Sequence, residues 1–184
     1  MKTFFSFFFF LFYLLFLFSC SNTPKENSLD ERQTMIAQID SVGKKMFDKK
    51  TMQFDKELAF KGISLYKDFA AKFPNDSLSA EYLFRMADLQ RGVGDNRGAI
   101  LTFADICKKY PDYKRIPDCI FLQGYYYQEF FNDTTSAKYY YNELISKYPS
   151  NGFVDDAKAL MNMFGKSEEQ IIKEFEQKQS AQKK

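Results

Sequence analysis

From about residue 55 onward, apolar positions recur at steps of four, three and four, the spacing of one face of an α-helix. The pattern then repeats as a block. Phe73-Pro74, Tyr110-Pro111 and Tyr148-Pro149 mark periods of 37 and 38 residues, and counting back from each proline gives matching columns. These are Gly62, Ala99 and Ala137; Tyr66, Phe103 and Tyr141; Phe69, Ile106 and Leu144; and Phe73, Tyr110 and Tyr148. The small residue opening each set lets a neighbouring helix approach closely, and the proline cannot continue the helix it follows. The solvent side repeats too, with Asp68, Asp105 and Glu143, then Lys72, Lys109 and Lys147. Alternate helices follow each proline, with stripes Leu83-Ala87-Gln90 and Ile120-Gly124-Tyr127. Turn chemistry separates the helices at Gly92-Val93-Gly94-Asp95 and Asn132-Asp133-Thr134, where Asp95 and Asp133 are expected N-caps. Ser167-Glu168-Glu169-Gln170 has capping-box spacing and predicts a last helix after Gly165. Before the repeats, Met35, Ile36, Ile39, Val42 and Met46 predict one amphipathic helix. No segment alternates with period two, so no sheet is expected. The expected boundaries are an N-terminal helix at 30–54, repeats at 55–165, and a terminal helix with a polar tail at 166–184.

The first twenty residues follow a different rule. Phe4 to Phe18 is an apolar run broken only by Ser6 and Tyr13. As a helix it would span only about 22 Å, short of the roughly 30 Å hydrocarbon core, which suits the apolar region of a secretory signal better than a permanent span. It closes on Leu17-Phe18-Ser19-Cys20, which resembles the lipobox read by bacterial lipoprotein signal peptidase. That resemblance implies a signal peptide at 1–19, lipidation of Cys20, and a membrane attachment stable through two or more acyl chains. Residues 20–29, polar and containing Pro24, then read as a flexible tether.

Ala99-Phe103-Pro111 and Ala137-Tyr141-Pro149 resemble the A-x3-F…P half of the tetratricopeptide pattern, and Gly124 to Tyr127 its G-x2-Y half. The fold implied is all-α, with antiparallel helix pairs stacked as a short tetratricopeptide-type superhelix. The unit exceeds the usual 34 residues, and the extra ones fall after the proline in PDYKRIPD and PSNGFVDD. This longer loop is similar to that of envelope lipoproteins of the BamD and Tol-Pal coordinator type. The Phe-rich leader and the Gly165-Lys166-Ser167 ending resemble repeat lipoproteins of Bacteroidetes.

Charge and composition narrow the chemistry. Removing residues 1–19 takes one lysine from 26 basic residues and none of the 24 acids, leaving +1. The basic residues are scattered among acids, so neither a nucleic-acid stripe nor an anionic-lipid patch is present, and nucleic acid is not an expected partner. The chain has no histidine, no phosphate loop, and its adjacent acids Asp155-Asp156 and Glu168-Glu169 sit on helix starts. No enzyme activity, cofactor or metal is expected. Cys107 and Cys119 leave two readings open: a disulfide across the Tyr110-Pro111 turn, or two small buried apolar residues. The second is favoured because aligned positions hold Ala70 and Ile145, and Tyr82 and Ala157.

The resemblance implies a noncatalytic, membrane-tethered interaction scaffold binding other envelope proteins, within an outer-membrane assembly complex. An alternative is a peptidoglycan-associated protein using exposed tyrosines of the Tyr125–Tyr127 and Tyr139–Tyr141 runs. Ser21 lacks the aspartate that marks inner-membrane retention in such lipoproteins, which implies the outer membrane, facing the periplasm. Because first helices of tetratricopeptide pairs line a concave surface, the partner groove is expected to hold Glu81, Phe84, Asp88 and Arg91 from one pair. Asp118, Phe121, Tyr125 and Gln128 are the matching set from the next. Phe84 and Phe121 would then be exposed aromatic anchors.

Overall fold

The computed structural model describes residues 24–48 and 53–182, so the expected signal at 1–19 and Cys20 lie outside the described residues. Eight helices are present among them: α1 (Pro24–Met46), α2 (Lys56–Lys72), α3 (Ser79–Val93), α4 (Asn96–Lys109), α5 (Ile116–Phe131), α6 (Thr134–Lys147), α7 (Val154–Met163) and α8 (Glu168–Gln182). The chain divides into two units, 1–37 and 38–184. Of the first, residues 24–37 are described and are helical.

Two boundaries differ from expectation. Helix α1 begins at Pro24, inside the stretch read as tether, because proline at a first helical turn gives up only an N–H that would be unpaired anyway. It ends at Met46, short of residue 54, and gives way to an unanticipated ribbon. There β1 (Phe47–Asp48) pairs antiparallel with β2 (Gln53–Phe54), in the register Phe47↔Phe54 and Asp48↔Gln53. A two-residue pairing has no period to read, and the Asp55 N–H closes it by donating to the Met46 carbonyl at 2.9 Å.

After the ribbon, the rest of the second unit is all-α, with helix pairs stacked in tetratricopeptide fashion and each helix from α2 to α7 packed on its sequence neighbours. All three inner columns are buried: Gly62, Ala99 and Ala137; Tyr66, Phe103 and Tyr141; Phe69, Ile106 and Leu144. The residue before each proline is the C-cap. Phe73, Tyr110 and Tyr148 adopt nearly the same backbone angles, and each N–H returns to the column residue four before it. At the N-termini, Asp95 Oδ1 accepts from the Gly98 N–H at 2.9 Å and Asp133 Oδ1 from the Ser136 N–H at 3.0 Å. The box at Ser167 is reciprocal, with Ser167 N donating to Gln170 Oε1 and Gln170 N to Ser167 Oγ. Gly94 and Asn132 end α3 and α5 in the left-handed conformation that these residue types tolerate. At the other end of the array, Val42 and Met46 of α1 join Ala59 in a cluster closed by Leu58, Leu65, Leu89 and Val93.

Candidate functional site

The loops after the three prolines are copies of one structure, and the middle copy departs from it. In each loop the residue two after the proline donates its N–H to the carbonyl of the C-cap, and the next helix starts three residues later: Asp76, Tyr113 and Asn151. Asp76 and Asn151 use their side chains to accept from the N–H two residues on, that of Leu78 and of Phe153, at 2.9 Å each. Tyr113 cannot make that turn. Its hydroxyl instead donates to Glu81 Oε2 at 2.6 Å, across to helix α3. Four residues after the proline the template is apolar, Leu78 and Phe153, and the middle loop has Arg115.

This comparison also decides the fate of the expected anchors. Phe153 stacks on Phe121 with ring centroids 4.5 Å apart, and at the equivalent place Arg115 lays its guanidinium 3.5 Å over the centre of the Phe84 ring. Phe84 and Phe121 are therefore covered by the loop of the following repeat, at 1% and 8% exposure, and are not the groove aromatics the sequence suggested. Phe84 also packs on Phe103, and Phe121 on Tyr141. Tyr125 is half-buried beside Phe121 and Tyr126. Gln128 is half-buried as well, and its Oε1 accepts from the Tyr141 hydroxyl at 3.1 Å, so it serves the core.

What the fold does bring together is polar. Glu81 accepts from both Tyr113 and Arg85 Nε, the latter at 3.0 Å, and Arg115 Nε donates to Asp118 Oδ2 at 2.9 Å. Asp88 and Arg91 continue the exposed face of α3. Partial burial works against ionisation of Glu81, but hydrogen bonds from Tyr113 and Arg85 and the charges of Arg85 and Arg115 outweigh it and hold the carboxyl below its ordinary range. Asp88 is raised, chiefly by desolvation, with Glu81 adding to it and Arg115 and Arg91 opposing. Burial and the bond to Glu81 raise Tyr113, so it stays a protonated donor. An open pocket of about 760 Å³ lies beside this seam, lined among others by Asp76, Leu78, Glu81, Arg85, Tyr113 and Lys114. Tyr113 and Arg115 were missed by sequence reading, which treated the post-proline insertion as a spacer; the column comparison at two and four residues past the proline contains their signal. Arg85 was missed too, and its signal is the four-residue spacing from Glu81 along one helix.

Because the folded pKa of Glu81 is depressed, its contribution is present above the unfolded value near 4.5 and is lost as pH falls through the folded value. Solvent screening at this half-exposed site limits it to about 0.5–1 kcal/mol. Chemical denaturation between pH 6 and about 3 should show Glu81→Gln less stable than wild type at pH 6 and converging on it in acid. A constant difference across that range would mean that the carboxylate is not the stabilising species.

Cys107 and Cys119 are both free thiols, Cys107 half-buried and Cys119 buried. Among the described residues, no group of three or more histidines, cysteines and carboxylates could hold a metal ion, and no helix is long and apolar enough to cross a membrane.

Residues 81–113 and 118–151 match the tetratricopeptide repeat family. The first match spans α3, α4 and the loop as far as Tyr113; the second spans α5, α6 and the loop as far as Asn151. Comparison with curated proteins gives no significant match. Two tandem tetratricopeptide units within stacked helix pairs define a helical-repeat protein, and repeats of this kind indicate a protein–protein interaction scaffold.

Proposed function

We propose that this chain is a noncatalytic scaffold of the bacterial envelope, tethered to the outer membrane through a lipidated Cys20 and facing the periplasm. It docks a partner protein within an outer-membrane assembly complex, on the seam between its two tetratricopeptide units. The observation that carries the docking reading is the departure of the middle loop from its two sister loops. Tyr113 and Arg115 replace a turn-forming Asp or Asn and an apolar residue, and they turn toward Glu81 and Phe84 beside an open pocket. The tether rests on Leu17-Phe18-Ser19-Cys20, which resembles a lipobox.

A photo-crosslinking residue placed in living cells at Asp88 or Lys114 should capture a defined partner, whereas one at Lys108 or Lys158 should not. Asp88→Lys with Arg91→Glu should reduce that capture at least about tenfold without loss of helicity. Equal capture from both sets of positions would remove the seam as the binding face. Cys20→Ser should release the folded chain from the membrane fraction; retention there would remove the lipid tether.

A second reading, a peptidoglycan-associated protein, is favoured by one specific feature. Tyr127 stacks on Tyr140 at 5.6 Å, Tyr139 beside them is 66% exposed, and Phe131 continues the strip with Arg97 over its ring. Tyr127 and Tyr140 are half-buried, and the exposed rings of Tyr139 and Phe131 beside them suit the apolar faces of sugars. Sedimentation with purified peptidoglycan that Tyr139→Ala abolishes would support this reading, and absence of sedimentation would remove it.

A further inference from the structure

The middle repeat departs from its template in a second place, and here the departures are buried. Twelve residues past the prolines stand Met86, Gln123 and Met161, so a glutamine occupies an apolar column. Gln123 is 2% exposed. Its side-chain Nε2 donates to the Cys119 carbonyl at 3.1 Å and lies 3.9 Å from Cys107 Sγ, while its Oε1 is buried with no hydrogen-bond partner. The amide cannot be turned round, because that would set two carbonyl oxygens against each other. A glutamine placed here therefore leaves one acceptor unsatisfied, a cost that a methionine would not carry. What it gains is an N–H aimed at the sulfur of Cys107. The one amide therefore touches both cysteines, which replace residues that the sister repeats fill with Ala70, Ile145, Tyr82 and Ala157.

We propose that Cys107 and Cys119 are a thiol pair built to close reversibly into a disulfide that staples α4 to α5, with Cys107 as the attacking sulfur and Cys119 as the resolving one. The roles follow from access and polarisation. Cys107 is the partly exposed member, and hydrogen bonds from Cys119 and Gln123 favour its thiolate, lowering it below the ordinary thiol value. Cys119 is fully buried and held protonated, first by its bond to Cys107 and then by burial. The oxidant is itself a disulfide, either a low-molecular-weight one or that of a dithiol oxidoreductase. The Cys107 thiolate attacks one of its sulfurs, forming a mixed disulfide and expelling a thiolate. Cys119 then surrenders its proton and attacks the Cys107 sulfur, expelling the second thiolate. The chain loses two electrons and two protons, and the oxidant leaves as two thiols.

The staple lies on the seam, because α4 belongs to the first matched repeat and α5 to the second. The segment it closes, 108–118, carries Tyr113 and Arg115, so oxidation would fix the loop that reaches Glu81 and Phe84.

Treatment of the folded full chain with oxidised glutathione, followed by non-reducing tryptic mapping, should link peptide 98–108 to peptide 116–138. Cys119→Ser should instead trap glutathione on Cys107. Cys107→Ser should leave Cys119 unmodified until urea is added, with circular dichroism confirming that both variants remain helical. The oxidised wild-type chain should melt about 5 °C or more above the reduced one. Glutathione accumulating on Cys107 of the wild type without cross-linking would overturn the pair. Modification of Cys119 in folded Cys107→Ser as fast as that of Cys107 in Cys119→Ser would overturn the assigned roles, and a lower melting temperature on oxidation would overturn the staple.

Discussion

Phe103→Ala should cost about 3–5 kcal/mol, a large part of the total stability of a domain of this size. Phe103 is fully buried on α4 with Phe84 from α3 and Tyr126 from α5 as ring neighbours at 5.2 and 5.9 Å, so its loss opens a cavity that belongs to both matched repeats. In a stacked array the stability of each repeat depends on the interface with its neighbour, and a cavity at that interface weakens two units at once. Phe121→Ala should fall in the same class, about 3 kcal/mol or more, because it loses the stack on Phe153 and the contact with Tyr141 together. Tyr139→Ala, at a ring mostly in solvent, should stay within about 0.5 kcal/mol of wild type. Urea denaturation of the three variants separates these outcomes. A Phe121→Ala protein within about 1 kcal/mol of wild type would restore the groove position expected from sequence and refute the covering role of Phe153.

The error about Phe84 and Phe121 has a physical source. A helical stripe read from sequence has a centre but no width, and width depends on what covers its edge. Here the covering atoms come from residues 31 or 32 positions further on, Arg115 and Phe153, in loops that carry no helical period. The columns that face a neighbouring helix were legible because close packing demands the same residue size at the same helical phase in every copy, as Ala99 and Ala137 show at full burial. The caps at Asp95, Asp133 and Ser167 were legible for a related reason, since a cap is a local interaction spanning three residues. Helical phase alone groups Glu81 with Asp88 on one helix and sets Asp118 at the matching place on another. Arg85, four residues after Glu81 on the same helix, could be read from that phase as well; Tyr113 and Arg115 could not, because the reach of a loop residue to Glu81 or Phe84 is not periodic. The start of α1 at Pro24 escaped because Lys25 to Ser28 present no apolar stripe, and helix propensity without a stripe leaves no mark in a hydrophobic pattern.

Small residues give the second large expected effect, and they separate two glycines that look alike in sequence. Gly43 lies within α1 with no atom within 4 Å of where a Cβ would stand, so Gly43→Ala should stabilise the chain by about 0.5–1 kcal/mol through helix propensity alone. At Gly124 a Cβ would lie 2.8 and 2.9 Å from two ring carbons of Tyr141 and 3.3 Å from the Ala137 carbonyl oxygen. Tyr141 cannot withdraw easily. It is fully buried, packed on Phe121, and its hydroxyl is held by Gln128. The added methyl must therefore part α5 from α6, and the strain should exceed the propensity gain, leaving Gly124→Ala destabilised by about 1–3 kcal/mol. If the ring is the obstacle, trimming it should relieve the strain: Gly124→Ala combined with Tyr141→Leu should be more stable than the sum of the two single losses predicts, by at least about 0.5 kcal/mol in a double-mutant cycle. Strict additivity in that cycle, or a Gly124→Ala protein as stable as Gly43→Ala, would mean that the two helices are not in contact through this pair of residues.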